Sequence, residues 1–158
     1  MSKILKIKAF QILDSRGLPT IATKVYLDDG RFALASVPSG ASTGQKEALE
    51  LRDDEKEFGG KGVNIAIKNV NNVLAKLLEG KNVYNQEEID QIMIDADGSE
   101  FKSNLGANAI LSVSLAVAKA GARAMKIPLH QYFNDMYENI SGNETDQVLP
   151  TPMLNILN

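Results

Sequence analysis

The sequence contains no cysteine and no tryptophan, one histidine and five prolines in 158 residues. Without cysteine there is no disulfide framework, no thiolate nucleophile and no zinc site built on thiolates, and the composition fits a reducing compartment. The single histidine, His130, has no serine, cysteine or second histidine near it in sequence. It therefore reads as a surface or partly packed helix side chain, not as the base of a catalytic triad. An excess of one charge is also missing. The 17 Lys+Arg and 20 Asp+Glu give a net charge of -3, too balanced for a nucleic-acid-binding face. The imbalance falls at the end of the chain, where Glu138, Glu144 and Asp146 stand without a single base from 138 to 158. Long hydrophobic runs are absent as well. The longest uncharged, apolar-leaning stretch is Leu105–Ala118, shorter than the ~18 residues a membrane span needs, so it reads as a buried core helix. Met1–Lys6 returns to charge too soon for a signal peptide. The expectation is a soluble cytoplasmic protein with no membrane span.

The length suits one domain with a sizeable core. Its first forty residues read as β-structure. Leu5, Ile7 and Ala9 alternate with Lys6 and Lys8, the period of a strand with one dry face, and Phe10 and Ile12 then fall on the lysine face. Asp14-Ser15-Arg16-Gly17 is turn chemistry. Ile21, Thr23, Val25 and Leu27 line one face of a second strand, and Asp28-Asp29-Gly30 marks a hairpin into a third, Arg31–Val37. This is an antiparallel three-stranded meander.

About four helices are expected to follow. Val63, Ile67, Val70, Leu74 and Leu77 keep the spacing of one helical face, stopped by Gly80. Asn85 with Glu88 predicts a capping box, followed by a buried stripe of Ile89, Ile92, Met93 and Ala96 ending at Gly98. Ala107–Lys126 is a helix of small residues. Pro128 is placed as the first residue of a last helix carrying Leu129, Tyr132, Phe133 and Met136. The fold class is thus α+β, with residues 1–139 as one domain. Residues 140–158 read as a polar linker, with Pro150 and Pro152, leading to the opening strand of something else, Met153–Asn158.

Few segments offer chemistry. Asp95-Ala96-Asp97-Gly98 echoes a calcium loop but lacks its further ligand positions, and it reads as a polar helix end. The charged run Glu47–Glu57 reads as a solvated face. The strongest candidate is Val37-Pro38-Ser39-Gly40-Ala41-Ser42-Thr43-Gly44-Gln45-Lys46-Glu47. Such a loop can cradle a phosphate or offer oxygen ligands to a hard cation, and it can equally be a flexible connector. It is not a Walker A loop, because its glycine spacing is one residue short and the Lys-Ser/Thr pair is missing.

Several blocks, in order and spacing, resemble the enolase family. They are Asp14–Gly17, Val37–Gly44, Glu47-Ala48-Leu49-Glu50-Leu51-Arg52-Asp53, Gly60-Lys61-Gly62-Val63, Leu105–Ile110 and Pro152–Asn158. The resemblance runs from about Ile4 to Asn158. It implies the N-terminal capping domain of an enzyme that reversibly dehydrates 2-phosphoglycerate to phosphoenolpyruvate with two Mg²⁺ ions. In that family a lysine base, an acidic glutamate, the three carboxylates of the first metal and a substrate-contacting histidine sit on a C-terminal (β/α) barrel. This base-plus-metal pattern belongs to the superfamily and is not deduced from these residues. The expectation is that none of that barrel's machinery lies within these residues, so that the chain alone is inactive.

By the same resemblance, Ser39, Gly40, Ala41, Ser42 and Thr43 correspond to the lid over bound substrate. Ser42 corresponds to the ligand of the second Mg²⁺, through hydroxyl and carbonyl oxygens. One serine offers two of the six oxygens Mg²⁺ wants, so no measurable Mg²⁺ binding by the chain alone is expected. Implied partners are the chain's own C-terminal barrel and a second subunit, as a homodimer or higher. The chain departs from the family where an arginine and a glutamate usually face the barrel of the dimer partner. It has Phe10 and Ala22 there, which implies an interface more apolar than usual, or none. The alternative of another class is a free-standing protein-interaction module that reuses the cap.

Overall fold

A computed structural model describes residues 2–40, 44, 46–53, 57–146 and 148–154. Three strands, β1 (Ile4–Leu13), β2 (Pro19–Leu27) and β3 (Phe32–Ser36), form an antiparallel sheet in the order β1-β2-β3. The meander is as expected, but its first strand is not. A bulge between Ile4 and Lys6 shifts the register, because an extra residue reverses which side chains face inward. Ile4 is therefore buried and Leu5 exposed, while Ile7 and Ala9 remain inside. Phe10 lies on the outer face as the period requires, at 41% exposure, directly opposite Ala22, which is 1% exposed. The two departures from the family pattern are thus one cross-strand pair.

After a 3₁₀ turn (Glu57–Gly60), α1 (Asn64–Asn69), a π-helical turn (Val70–Leu74) and α2 (Ala75–Leu78) follow in unbroken succession. They form the helix that the 63–77 spacing predicts. The wide turn changes its phase: Leu78 is buried and Leu77 exposed. The turn also brings Asn71 to the free edge of β1. There its amide nitrogen donates to the Ala9 carbonyl (3.1 Å) and its oxygen accepts from the Ala9 N–H (2.9 Å), closing an edge that would otherwise be open to pairing. The edge of β3 is closed by α4 (Ala107–Met125), whose Arg123 and Lys119 donate to the Phe32 and Leu34 carbonyls.

The apolar face of the sheet packs on α4. Small residues at Ala109, Ser112, Ala116 and Ala120 let the helix approach closely, and Ser112 Oγ meets Thr23 Oγ1 at 2.7 Å within the core. The Leu105–Ala118 stretch is the buried core helix expected, and among the described residues no helix is long and apolar enough to cross a membrane. Packed beside α4, α3 (Gln86–Asp97) buries Gln86, Ile89, Met93 and Asp97, with Ile92 partly covered and Ala96 exposed. The expected capping box is absent. Glu88 is drawn to Lys81 Nζ (3.0 Å), and Asn85 donates to the Glu88 carboxylate instead of accepting from the first turn.

In α5 (Leu129–Ser141), Pro128 stands at the N-cap, one residue earlier than placed from sequence, and the helix runs two residues past 139. Tyr132 is buried against Ala118 and Ala122, over a gap that Gly121 leaves open, while Phe133 and His130 are exposed. Of the closing apolar run, Met153 and Leu154 are exposed; Ile156 and Leu157 lie outside the described residues.

The Asp97 carboxylate is consumed locally rather than offered to a cation. It accepts from the Ser99 hydroxyl and N–H and from the Leu105 N–H. Burial works to raise its pKa, but these donors together hold it below the ordinary 3.8. Its stabilising contribution is therefore complete above that value and lost as pH falls through the lower folded-state value. Asp97→Asn is expected to lower stability at neutral pH and to flatten the acid-side decline in denaturant titrations carried down to about pH 3. An acid-side slope identical to that of the parent chain would contradict this assignment.

Candidate functional site

The cleft that gathers the sequence blocks begins where the chain leaves β3. Thr20 Oγ1 donates to the Val37 carbonyl (2.6 Å), holding the exit of the strand. Asp14 shapes the preceding turn by accepting from the Leu18 and Arg16 N–H groups, each at 2.8 Å. The Leu18 bond does most to hold the Asp14 carboxyl below its usual range; partial burial opposes it and Arg16 adds to it. The turn presents Arg16, whose Nη2 donates to the Ser39 carbonyl at 3.0 Å. The Asp14–Gly17 block and the loop block thus meet at one residue.

Segment 49–53 forms the other wall. Leu49 donates to Phe101 O (2.7 Å) and accepts from Ala107 N (2.8 Å). Leu51 is gripped through both backbone groups by the Asn108 side chain, with N–H to Oδ1 at 3.1 Å and C=O from Nδ2 at 3.0 Å. Asn108 is itself buried, so its amide replaces a strand partner that this irregular segment lacks. Between these anchors the side chains alternate. Glu50 and Arg52 turn toward the loop and pair at 2.6 Å. Arg52 also donates to the Ser39 hydroxyl (3.0 Å) and to the Pro19 and Lys61 carbonyls, each at 2.7 Å. Asp53 is 2% exposed and accepts from the Asn64 and Ile65 N–H groups at 2.6 and 2.8 Å, capping α1 from outside the helix.

The resulting cleft, of about 550 Å³, is lined by Val37, Gly40, Glu47, Glu50, Arg52 and Leu111 among others. Ser39 and Gly40 stand at its rim. Ala41, Ser42 and Thr43 lie outside the described residues. Among the described residues, no three His, Asp or Glu side chains come together as a metal site. Glu50 is committed to Arg52 and Ser39. The described walls do not fit a hexacoordinate Mg²⁺ on their own. A groove of similar size between α3 and α5, lined by Tyr84, Gln86, Glu87 and Met136, contains none of the motif blocks.

Arg52 and Asp53 stand in a family-like block that gives them no role, and the solvated-face reading of Glu47–Glu57 would leave them in water. The sequence also gives no role to Asn108. The signal present was the mixed character of Leu49-Glu50-Leu51-Arg52, whose charged residues, two apart, both face the cleft.

The sequence family described as "Enolase, N-terminal domain" matches residues 4–133. The chain is 55% identical over 157 residues to the enolase of Methanosarcina mazei, covering 99% of this chain and 35% of that protein. It is 52% identical over 158 residues to the enolase of Malacoplasma penetrans, covering 99% and 34%, and 49% identical over 158 residues to that of Methanopyrus kandleri, covering 100% and 35%. It thus spans about a third of the length of the curated relatives it matches. With three of the motif blocks lining one cleft and a family match over most of its length, the chain belongs to the enolase N-terminal domain family.

Proposed function

We propose that this chain serves an enolase, an enzyme that reversibly dehydrates 2-phosphoglycerate to phosphoenolpyruvate, as the domain that covers the active site of a C-terminal (β/α) barrel. The observation that carries the reading is the convergence of Asp14–Gly17, Ser39–Gly40, Glu50–Asp53 and Leu105–Asn108 on one cleft. In this reading Ser39, Gly40, Ala41, Ser42 and Thr43 form the lid, and Ser42 is the chain's ligand to the second Mg²⁺. The ion would supply charge stabilisation at the substrate. The chain's own residues hold the lid's stems and narrow the access of water. The setting is cytoplasmic. A second subunit would meet the sheet face that carries Phe10, which offers it an aromatic ring rather than a charge.

The test is phosphoenolpyruvate formation, followed by absorbance with Mg²⁺ present, for the full-length protein and for the 158-residue chain. The full-length protein is expected to be active and the chain alone inactive. Activity from the purified chain would overturn its proposed dependence on the barrel. An inactive full-length protein would overturn the enzymatic reading in favour of an interaction module.

A further inference from the structure

We infer that Ser39, where the lid segment begins, is its fixed pin, and that Arg52 is the positioning residue that sets it; this rests on the reading above. Every polar group that the Ser39 hydroxyl and carbonyl offer is engaged. The carbonyl accepts from Arg16 Nη2 at 3.0 Å. The hydroxyl accepts from Arg52 Nη2 at 3.0 Å and donates to Glu50 Oε2 at 3.2 Å. Glu50 Oε1 closes the ring on Arg52 Nη2 at 2.6 Å.

Arg52 can do this because it is anchored at its other end. Its Nη1 donates to Pro19 O at the start of β2 and to Lys61 O ahead of α1, both at 2.7 Å. One planar guanidinium thus joins a strand, a helix approach, its own wall at Glu50 and the loop stem. That needs several donors in a rigid fork, which lysine lacks. The pin fixes the direction in which the chain leaves Ser39. Gly40, the next residue, lines the cleft, so a displaced Ser39 shifts the cleft wall directly. An error of about 1 Å in a positioned group can lower a rate by as much as about a hundredfold.

The test uses the full-length protein with Ser39→Ala, Ser39→Thr and Arg52→Lys. Ser39→Ala removes only the hydroxyl from a half-exposed residue. It is expected to lower kcat about tenfold while leaving KM for 2-phosphoglycerate within about twofold, with a melting temperature within about 2 °C of the parent. Ser39→Thr keeps the hydroxyl and is expected to restore most of the rate. Arg52→Lys is expected to reproduce the kcat loss. A merely structural hydroxyl would lower the melting temperature and spare kcat. Parental kcat in Ser39→Ala, or equal loss in Ser39→Ala and Ser39→Thr, would overturn the pin. An inactive parent protein would overturn the enzymatic reading itself.

Discussion

Gly106→Ala is expected to destabilise the fold by about 3 kcal/mol, seen as a fall in melting temperature of about 10 °C. Two separate costs meet at this position. Its φ of +97° lies where a side chain is strained. A Cβ added there would stand 2.6 Å from Leu51 Cβ and 2.7 Å from Asn108 Oδ1. Neither neighbour can give way cheaply. Leu51 is held through its N–H and C=O by Asn108, and Asn108 Oδ1 also accepts from the Ala109 N–H. The substitution must therefore push segment 49–53 off α4, loosening Glu50 and Arg52 together. Gly80→Ala separates the costs, since its φ is +78° but nothing lies within 4 Å of the added Cβ. It is expected to cost about 1 kcal/mol, the strain alone. Thermal melts of the two variants side by side decide the matter: equal losses would mean that the frame around Gly106 is not tight.

The same residues show what a sequence can and cannot announce. The meander was legible because Ile21, Thr23, Val25 and Leu27 repeat every second residue and Asp28-Asp29-Gly30 permits a tight turn. The inversion at Ile4 and Leu5 was not, since a bulge adds a residue without any change of composition. The helix from 64 to 78 was legible by its spacing, but the π turn that exposes Leu77 was not; it accompanies the contact of Asn71 with the edge of β1, 62 residues away in sequence. The candidate site divides along the same line. A run of glycine, serine and threonine marks the loop, and a series of matching blocks marks the family. What holds the loop was hidden, because Arg16, Glu50 and Arg52 acquire their partners only through tertiary structure, and charge in sequence looks the same whether solvated or clamped. Phe10 and Ala22, the two departures from the family pattern, are partners across two strands.

Asp53 and Gly62 carry the second large effect, and it is a coupled one. Helix α1 begins at Asn64 after Val63, whose apolar side chain makes no capping bond, so the orphan N–H groups of its first turn need an acceptor from elsewhere. Asp53 supplies it with both carboxylate oxygens, and the Asp53 N–H donates to the Gly62 carbonyl at 2.9 Å. Asp53→Ala leaves those N–H groups without their acceptor and empties a buried side-chain site, and it is expected to cost about 2 kcal/mol. Gly62→Ala is expected to cost about 2 kcal/mol by overpacking, because its Cβ would stand 2.6 Å from Asp53 Oδ2. Once the carboxylate is gone the 2.6 Å collision goes with it, leaving only the residue-53 Cβ at 3.3 Å. The double variant should therefore lose less than the two single losses combined, by about 1 kcal/mol or more in urea unfolding. Additive losses would mean that the Gly62 contact is not with the carboxylate. The coupling reaches the cleft through Lys61, which lies beside Gly62 and accepts from Arg52. The Gly60–Val63 block thus serves the site from a distance, by fixing one of the two carbonyls on which Arg52 is anchored.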